Sequence, residues 1–132
     1  MDEAVERFLN QHHSAVMATI KQDGRPHVAR IGVGLVEGKL WSSSTKTRVR
    51  HKYLQRDPRS TLMVLHPETP YQWLGIESKV TIHDGPDAAE KNLTLYRELA
   101  GEPDDLEEYM TAMVKEQRVI YEFSIDRTYG SF

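Results

Sequence analysis

Cysteine is absent from these 132 residues, and that absence removes thiol nucleophiles, iron–sulfur clusters, cysteine-ligated zinc and any disulfide framework together. No apolar run approaches the roughly 20 residues that a membrane-spanning helix requires. The opening segment, Met1 to Asn10, is charged and carries no basic-plus-apolar leader, so a cytoplasmic protein is expected. Six histidines, His12, His13, His27, His51, His66 and His83, lack His-Glu-x-x-His spacing or a carboxylate-rich partner set, and no metal is expected. Gly32-Val33-Gly34 is followed by neither a third glycine nor a helix, which excludes a dinucleotide fingerprint. Ser42-Ser43-Ser44 has no Gly-x-Ser-x-Gly elbow around it, so a hydrolase is not supported. The net charge of -3 names no partner by itself. A mostly neutral-to-acidic chain without a binding motif speaks against nucleic acid.

What is present reads as one domain over residues 1–132, long enough to bury a core without staples. Asp2 is placed to cap a short helix from Glu3 to His12, with Val5, Phe8 and Leu9 at helical spacing. The period then changes. Ser14 to Ile20 reads as a strand, Asp23-Gly24 as a hairpin turn, His27 to Leu35 as a second strand, and Lys39 to Ser43, after Glu37-Gly38, as a third, together an antiparallel meander. Lys46 to Gln55 reads as helical, ending before Asp57-Pro58. Ser60 to Leu65 and Trp73 to His83 read as strands, the latter with Ile76, Ser78, Val80 and Ile82 on its inner face. Ala89, Leu93, Tyr96 and Ala100 fit a helix ended by Gly101. Pro103 in a first turn opens another, with Leu106, Met110, Met113 and Val114 as its apolar stripe. Val119, Tyr121, Phe123 and Ile125 line the last strand. About six strands without strand-helix-strand alternation predict a mainly β chain, an antiparallel barrel with three or four short helices.

Lys46, Arg48, Arg50, Lys52, Arg56 and Arg59 fall within fourteen positions, interrupted by a single acid, Asp57. Such a cluster fits a solvated helix face or an anion site. The hydroxyls of Ser42 to Thr45 just before it favour the latter, because free N–H groups and the helix dipole converge there. Residues two apart on a helix point roughly 200° away from each other. Arg48 and Arg50 therefore share one anion only if Arg48 lies before the helix, which sets the helix start near Val49. Tyr71 and Trp73, beside Pro67 and Pro70, fit either a barrel-end filling or a wall for a flat ring.

The runs Ala18 to Pro26 and Lys46 to Ser60 resemble the pyridoxamine 5'-phosphate oxidase-like split β-barrel superfamily, whose barrel is FMN-binding-like. Leu95 to Glu102, Tyr109 to Val114 and Arg118-Val119 resemble, more narrowly, its B-type deazaflavin-dependent reductases, which use coenzyme F420. The resemblance implies that Arg48 and Arg50 bind the cofactor phosphate, with Ser43 and Lys52 as neighbours. The second basic position is usually lysine in that branch, and arginine here offers a forked grip instead. It also implies that His27, Val28, Ala29, Arg30 and Ile31 run under the tricyclic ring and offer it backbone groups. A homodimer with the cofactor cleft between subunits would follow, the apolar outer faces of these strands becoming interface. The activity implied is hydride transfer from reduced F420 to a small electrophilic acceptor such as an enone, quinone or tetrapyrrole, with Tyr129 a candidate proton donor. FMN chemistry on the same barrel, or a non-catalytic carrier of flavin, deazaflavin or haem, are the alternatives.

Overall fold

The chain enters through helix α1, Glu3–Gln11, because Asp2 accepts hydrogen bonds from the N–H groups of Ala4 and Val5 at 2.8 and 3.3 Å. Val5, Phe8 and Leu9 are the buried side of that helix. The computed structural model describes all 132 residues. It contains strands β1 (Ser14–Ile20), β2 (Pro26–Gly32), β3 (Gly34–Val36) and β4 (Lys39–Thr45), helix α2 (Val49–Arg56), strands β5 (Arg59–Leu65) and β6 (Trp73–His83), helices α3 (Ala88–Ala100) and α4 (Leu106–Lys115), and strands β7 (Arg118–Phe123) and β8 (Arg127–Ser131). No helix is long and apolar enough to cross a membrane.

All strand pairs are antiparallel, and the sheet runs β2-β1-β5-β6-β7-β4-β3, with β8 added to β6. The eleven-residue β6 is the spine of this arrangement. Residues 73–79 pair with β5 along one edge, while residues 80–83 pair with β7 and 73–77 with β8 along the other. Leu9, Met17, Leu62, Leu74, Ile76 and Tyr121 are among the fully buried side chains that curl the sheet around one core. Alternation along β5 and β6 selects which face turns inward, as the period-two rule demands.

Four expectations change. The single strand from His27 to Leu35 is two strands, because the ladder with β1 ends at Val33: its N–H still bonds the carbonyl of His13 at 2.8 Å, in register with Ser14 opposite Gly32, but its carbonyl meets the side chain of His13, Nδ1 at 3.1 Å. Beyond it Gly34 lies so close under α3 that a Cβ there would stand 2.8 Å from Leu99. The meander is thereby split, with β2 on β1 at one end of the sheet and β3 on β4 at the other. The strand count is eight, the unforeseen ones being β3 and β8. Third, α4 starts only at Leu106, where Asp105 accepts from the Glu108 N–H at 3.0 Å, so Pro103 precedes the helix. Its expected apolar stripe is buried at Met113 alone; Leu106 and Val114 are exposed, Val114 by 71%. Finally, the buried side of α3 is Ala88, Asn92, Leu93 and Leu95, which leaves Tyr96 at the surface.

Candidate functional site

β4 ends at Thr45, level with Arg118 of β7. The chain then turns through Lys46, whose N–H bonds the carbonyl of Gln117 at 3.1 Å. Arg48 stays extended at φ -73 and ψ 141, and the first helical residue is Val49, as the argument from shared anion geometry requires. Three features of this helix start are unusual together. Arg48 is the N-cap residue but makes no side-chain capping bond, and the first turn holds no acid. The N–H groups of Val49 and Arg50 bond no acceptor. Cations therefore crowd the positive end of a helix dipole, where charge of the other sign is the stabilising one.

Arg50 is half-buried, and its Nε is fully buried with no hydrogen-bond partner. Burial holds its guanidinium below the usual arginine range; the Tyr121 phenol opposes that shift, and Arg48 and Arg118 add to it. A buried donor without an acceptor is costly in a native protein. Arg118 itself is tied to Glu116 Oε1 through Nε and Nη2, each at 2.9 Å. Directly beneath, His51 is buried, and its Nδ1 lies 3.0 Å from the hydroxyl of buried Tyr121. Arg48, Arg50, Lys46 and Arg118 thus form a concentrated positive field around unfilled donors, suited to a phosphate or similar anion.

The remaining candidates distribute themselves differently. Lys52 is exposed two residues beyond Arg50, on the far side of the helix. Ser43 does not face this site: its hydroxyl bonds Asn92 of α3, which in turn donates to the Ala88 carbonyl at 2.9 Å. Ser42 and Ser44 lie on the other face of β4, the Tyr121 side, with hydroxyls that find no protein partner. His27 stacks edge-on against Tyr53 of α2, ring centroids 5.5 Å apart, so the start of β2 lies beside the basic helix. Ala29 and Ile31 follow His27 on the half-buried side of β2, and Val28 and Arg30 face out, Val28 with 63% exposure. Arg30 bonds the Ser14 hydroxyl. Because β2 terminates the sheet order, one edge of its backbone is open.

Tyr71 and Trp73 stand elsewhere. Trp73 is level with Leu65, Ser14 and Gly32, the end of β2 opposite to His27, roughly 17 Å along the strand. Tyr71 is 83% exposed. Trp73 meets Tyr129 edge-on at 5.8 Å, and Tyr129 lies flat over Gly75, where a Cβ would come within 2.5 Å of its ring. Within one chain these aromatics do not join the basic cluster. A cleft of about 380 Å³ opens on the outer face of the sheet toward the Pro26 end of β2, lined by Ala18, Ile20, Pro26, Thr61, Glu77 and Lys79 among others. Lys46, Arg118, His51 and Tyr121 were not foreseen as site residues. Lys46 and His51 lie within the segment of the recognised cluster, whereas Arg118 and Tyr121 reach the site through folding alone.

The sequence profile of the pyridoxamine 5'-phosphate oxidase family matches residues 1–132. The chain belongs to that family. Among curated relatives of this family member is an F420H(2)-dependent biliverdin reductase of Mycobacterium tuberculosis, 27% identical over 124 residues that cover 94% of this chain and 83% of the relative. Two solved structures share the fold. A conserved hypothetical protein from Mycobacterium tuberculosis superposes with a TM-score of 0.80 at 23% identity, covering 97% of this chain and 82% of that one. An F420 reductase superposes with a TM-score of 0.74 at 24% identity, covering 98% of both chains.

Proposed function

We propose that this chain is an oxidoreductase that holds coenzyme F420 with its phosphate at the start of α2 and its ring along β2, and that reduces a small electrophilic acceptor. The observation that carries the reading is the buried, unpartnered Nε of Arg50 at a helix start crowded with cations and with no acid in its first turn. Those donors match a phosphate in charge and in number. The names of the relatives supply the deazaflavin, since one reduces biliverdin with F420H(2) and another is an F420 reductase.

When bound, the reduced deazaflavin supplies the hydride. The protein's part is position and charge. Arg48 and Arg50 grip the anion, Lys46 and Arg118 raise the local positive potential, and the open edge of β2 offers backbone N–H and C=O groups to a ring. Tyr129 is the candidate proton donor. A second copy of the chain covers the outer face of β2, β1 and β5, where Val28 and Met63 are exposed, and brings its own aromatics to the open cleft. FMN is the second reading, favoured by the family and by the same phosphate-matched donors.

Titration of the purified protein with F420 and with FMN, read by fluorescence and absorbance, tests both. Micromolar F420 binding with turnover on tetrapyrrole, quinone or enone acceptors supports the first reading. Tight FMN binding without F420 binding replaces it with the second. Binding without turnover on any acceptor leaves a carrier, and no binding of either removes the cofactor site.

A further inference from the structure

Nothing on α2 itself aims Arg50. The helix has eight residues, no side-chain cap and no carboxylate in its first turn, and a helix this short is not stable on its own account. Its first turn is fastened one residue further on. His51 is 4% exposed and Tyr121 1%; their Nδ1 and hydroxyl oxygen are 3.0 Å apart, and the rings stack at 5.9 Å with 21° between their planes.

Tyr121 is set in the middle of the sheet, since β7 pairs with β4 on one side, Tyr121 opposite Ser42, and with β6 on the other, Tyr121 opposite Ile82. A residue held by two neighbouring strands is a firm anchor. Ser42 and Ser44 lie alongside, the Ser44 hydroxyl near enough to favour the ionised phenol slightly, but the hydrogen-bond contact that joins Tyr121 to α2 is the one with His51. Arg50 adjoins both: it precedes His51 in the chain, and its guanidinium lies near the Tyr121 phenol.

We propose that Tyr121 and His51 are positioning residues for Arg50, a clamp from the sheet to the first turn of α2 that keeps the guanidinium aimed at the bound anion. This rests on the reading that the start of α2 binds a cofactor phosphate. Neither group touches the ligand. Their effect is geometric, because a forked charge-assisted contact loses most of its strength when the fork is misaligned. With the phenol hydroxyl removed, His51 Nδ1 is left buried and unpaired, and the turn relaxes to satisfy it. Arg50 keeps its charge and loses its aim.

Ligand pairs with and without the phosphate separate aim from general loosening; FMN and riboflavin differ in that group alone, F420 and its core also in the acidic chain beyond it. The 132-residue chain and its Tyr121→Phe, His51→Asn and His51→Gln variants are titrated with F420 and its phosphate-free deazariboflavin core, with FMN and riboflavin as a second pair, and thermal unfolding checks the fold. Asparagine returns a polar group near the place of Nδ1, whereas the longer glutamine displaces it. In the wild type the phosphate-bearing ligand binds at least about tenfold more tightly than its core. Tyr121→Phe and His51→Gln reduce that ratio about tenfold while the core binds as before, and His51→Asn retains most of it. An unchanged ratio in Tyr121→Phe overturns the proposal, as does equal weakening of both members of a pair. If Tyr121→Phe does not fold, the same two outcomes in His51→Gln decide. A wild type that does not discriminate within either pair removes the phosphate reading of α2 and the clamp with it, a result distinguishable from failure of the clamp alone.

Discussion

Helices α1 and α2 are nearly the same length, nine residues and eight, and they are built on opposite terms. In α1 the cap residue Asp2 takes up two free N–H groups, Glu3 and Glu6 complement the dipole, and Val5, Phe8 and Leu9 enter the core. In α2 the cap position holds Arg48, no acid stands in the first turn, and only His51 and Leu54 are buried. Every rule that stabilises a helix start is followed in the first and broken in the second. A helix that leaves its donors open and adds cation to its positive end is stabilised by whatever anion arrives. The difference between them is the difference between a structural element and a binding element.

The strongest way to test that division is to remove packing from α1. Leu9 is wholly buried, so Leu9→Ala should lower the unfolding free energy by about 2 to 5 kcal/mol, the usual range for a core leucine. Urea unfolding measures it. Phosphate-ligand affinity under conditions where the variant remains folded should be unchanged, and a matching loss of affinity would mean that the two helices are one cooperative unit.

The converse experiment removes charge from α2. Arg50→Ala should weaken binding of a phosphate-bearing ligand by about 1.5 to 3 kcal/mol, the range for a hydrogen bond to a charged group. Arg48→Ala should act in the same direction. Stability in the absence of ligand should hold or rise, since a repelled cation and an unpaired buried donor are removed. Intact affinity in the double variant would return the cluster to a solvated surface.

A smaller effect comes from exchanging the two caps. Asp2→Ala should cost about 1 kcal/mol, the ordinary value of an N-cap side chain. Arg48→Asp should do the reverse, stabilising the unliganded protein by roughly 0.5 to 1 kcal/mol while reducing phosphate affinity. If Arg48→Asp destabilises the free protein instead, the uncapped, acid-free start of α2 is not a source of instability.

These contrasts explain which features could be read in the chain and which could not. Asp2, the alternation of β6 and the need for Arg48 to precede the helix are local, and the structure has α1, β6 and the start of α2 where local rules put them. Ser43 shows where such reading stops. Three serines in a row give no polar–apolar contrast to mark the faces of β4, and the hydroxyl that seemed next to the cluster faces Asn92. The break at Val33 depends on His13, twenty positions away in the chain. Strand β8 is five residues with Gly130 among them, and its place is set by Tyr129 covering Gly75 on β6. The Tyr121–His51 contact spans seventy positions. Fold class follows from periodicity, whereas a site assembled across the barrel follows from tertiary packing.

The smallest expected effect distinguishes the two helices by pH. Burial holds both His12, at the end of α1, and His51, within α2, below the ordinary histidine value of 6.5. For His12 the neighbouring His66 and His13 add to that direction; for His51, Asp84 opposes it and Lys46 adds to it. A depressed folded-state pKa means that the unfolded chain binds more protons, so stability is complete above about 6.5 and falls as pH drops through that value toward each folded one. Both His12→Asn and His51→Asn should therefore flatten the decline of the urea midpoint between about pH 7.5 and 5.5. Only His51 is linked to Arg50. Protonation there adds a cation under the anion site and disturbs the Tyr121 contact, so affinity for a phosphate-bearing ligand has an additional pH-dependent component that His51→Asn removes and His12→Asn leaves. The ligand's own titration is common to all three proteins and cancels in the comparison. If His12→Asn changes the pH dependence of affinity as much as His51→Asn does, the two ends of the barrel communicate, and α1 is part of the binding apparatus after all.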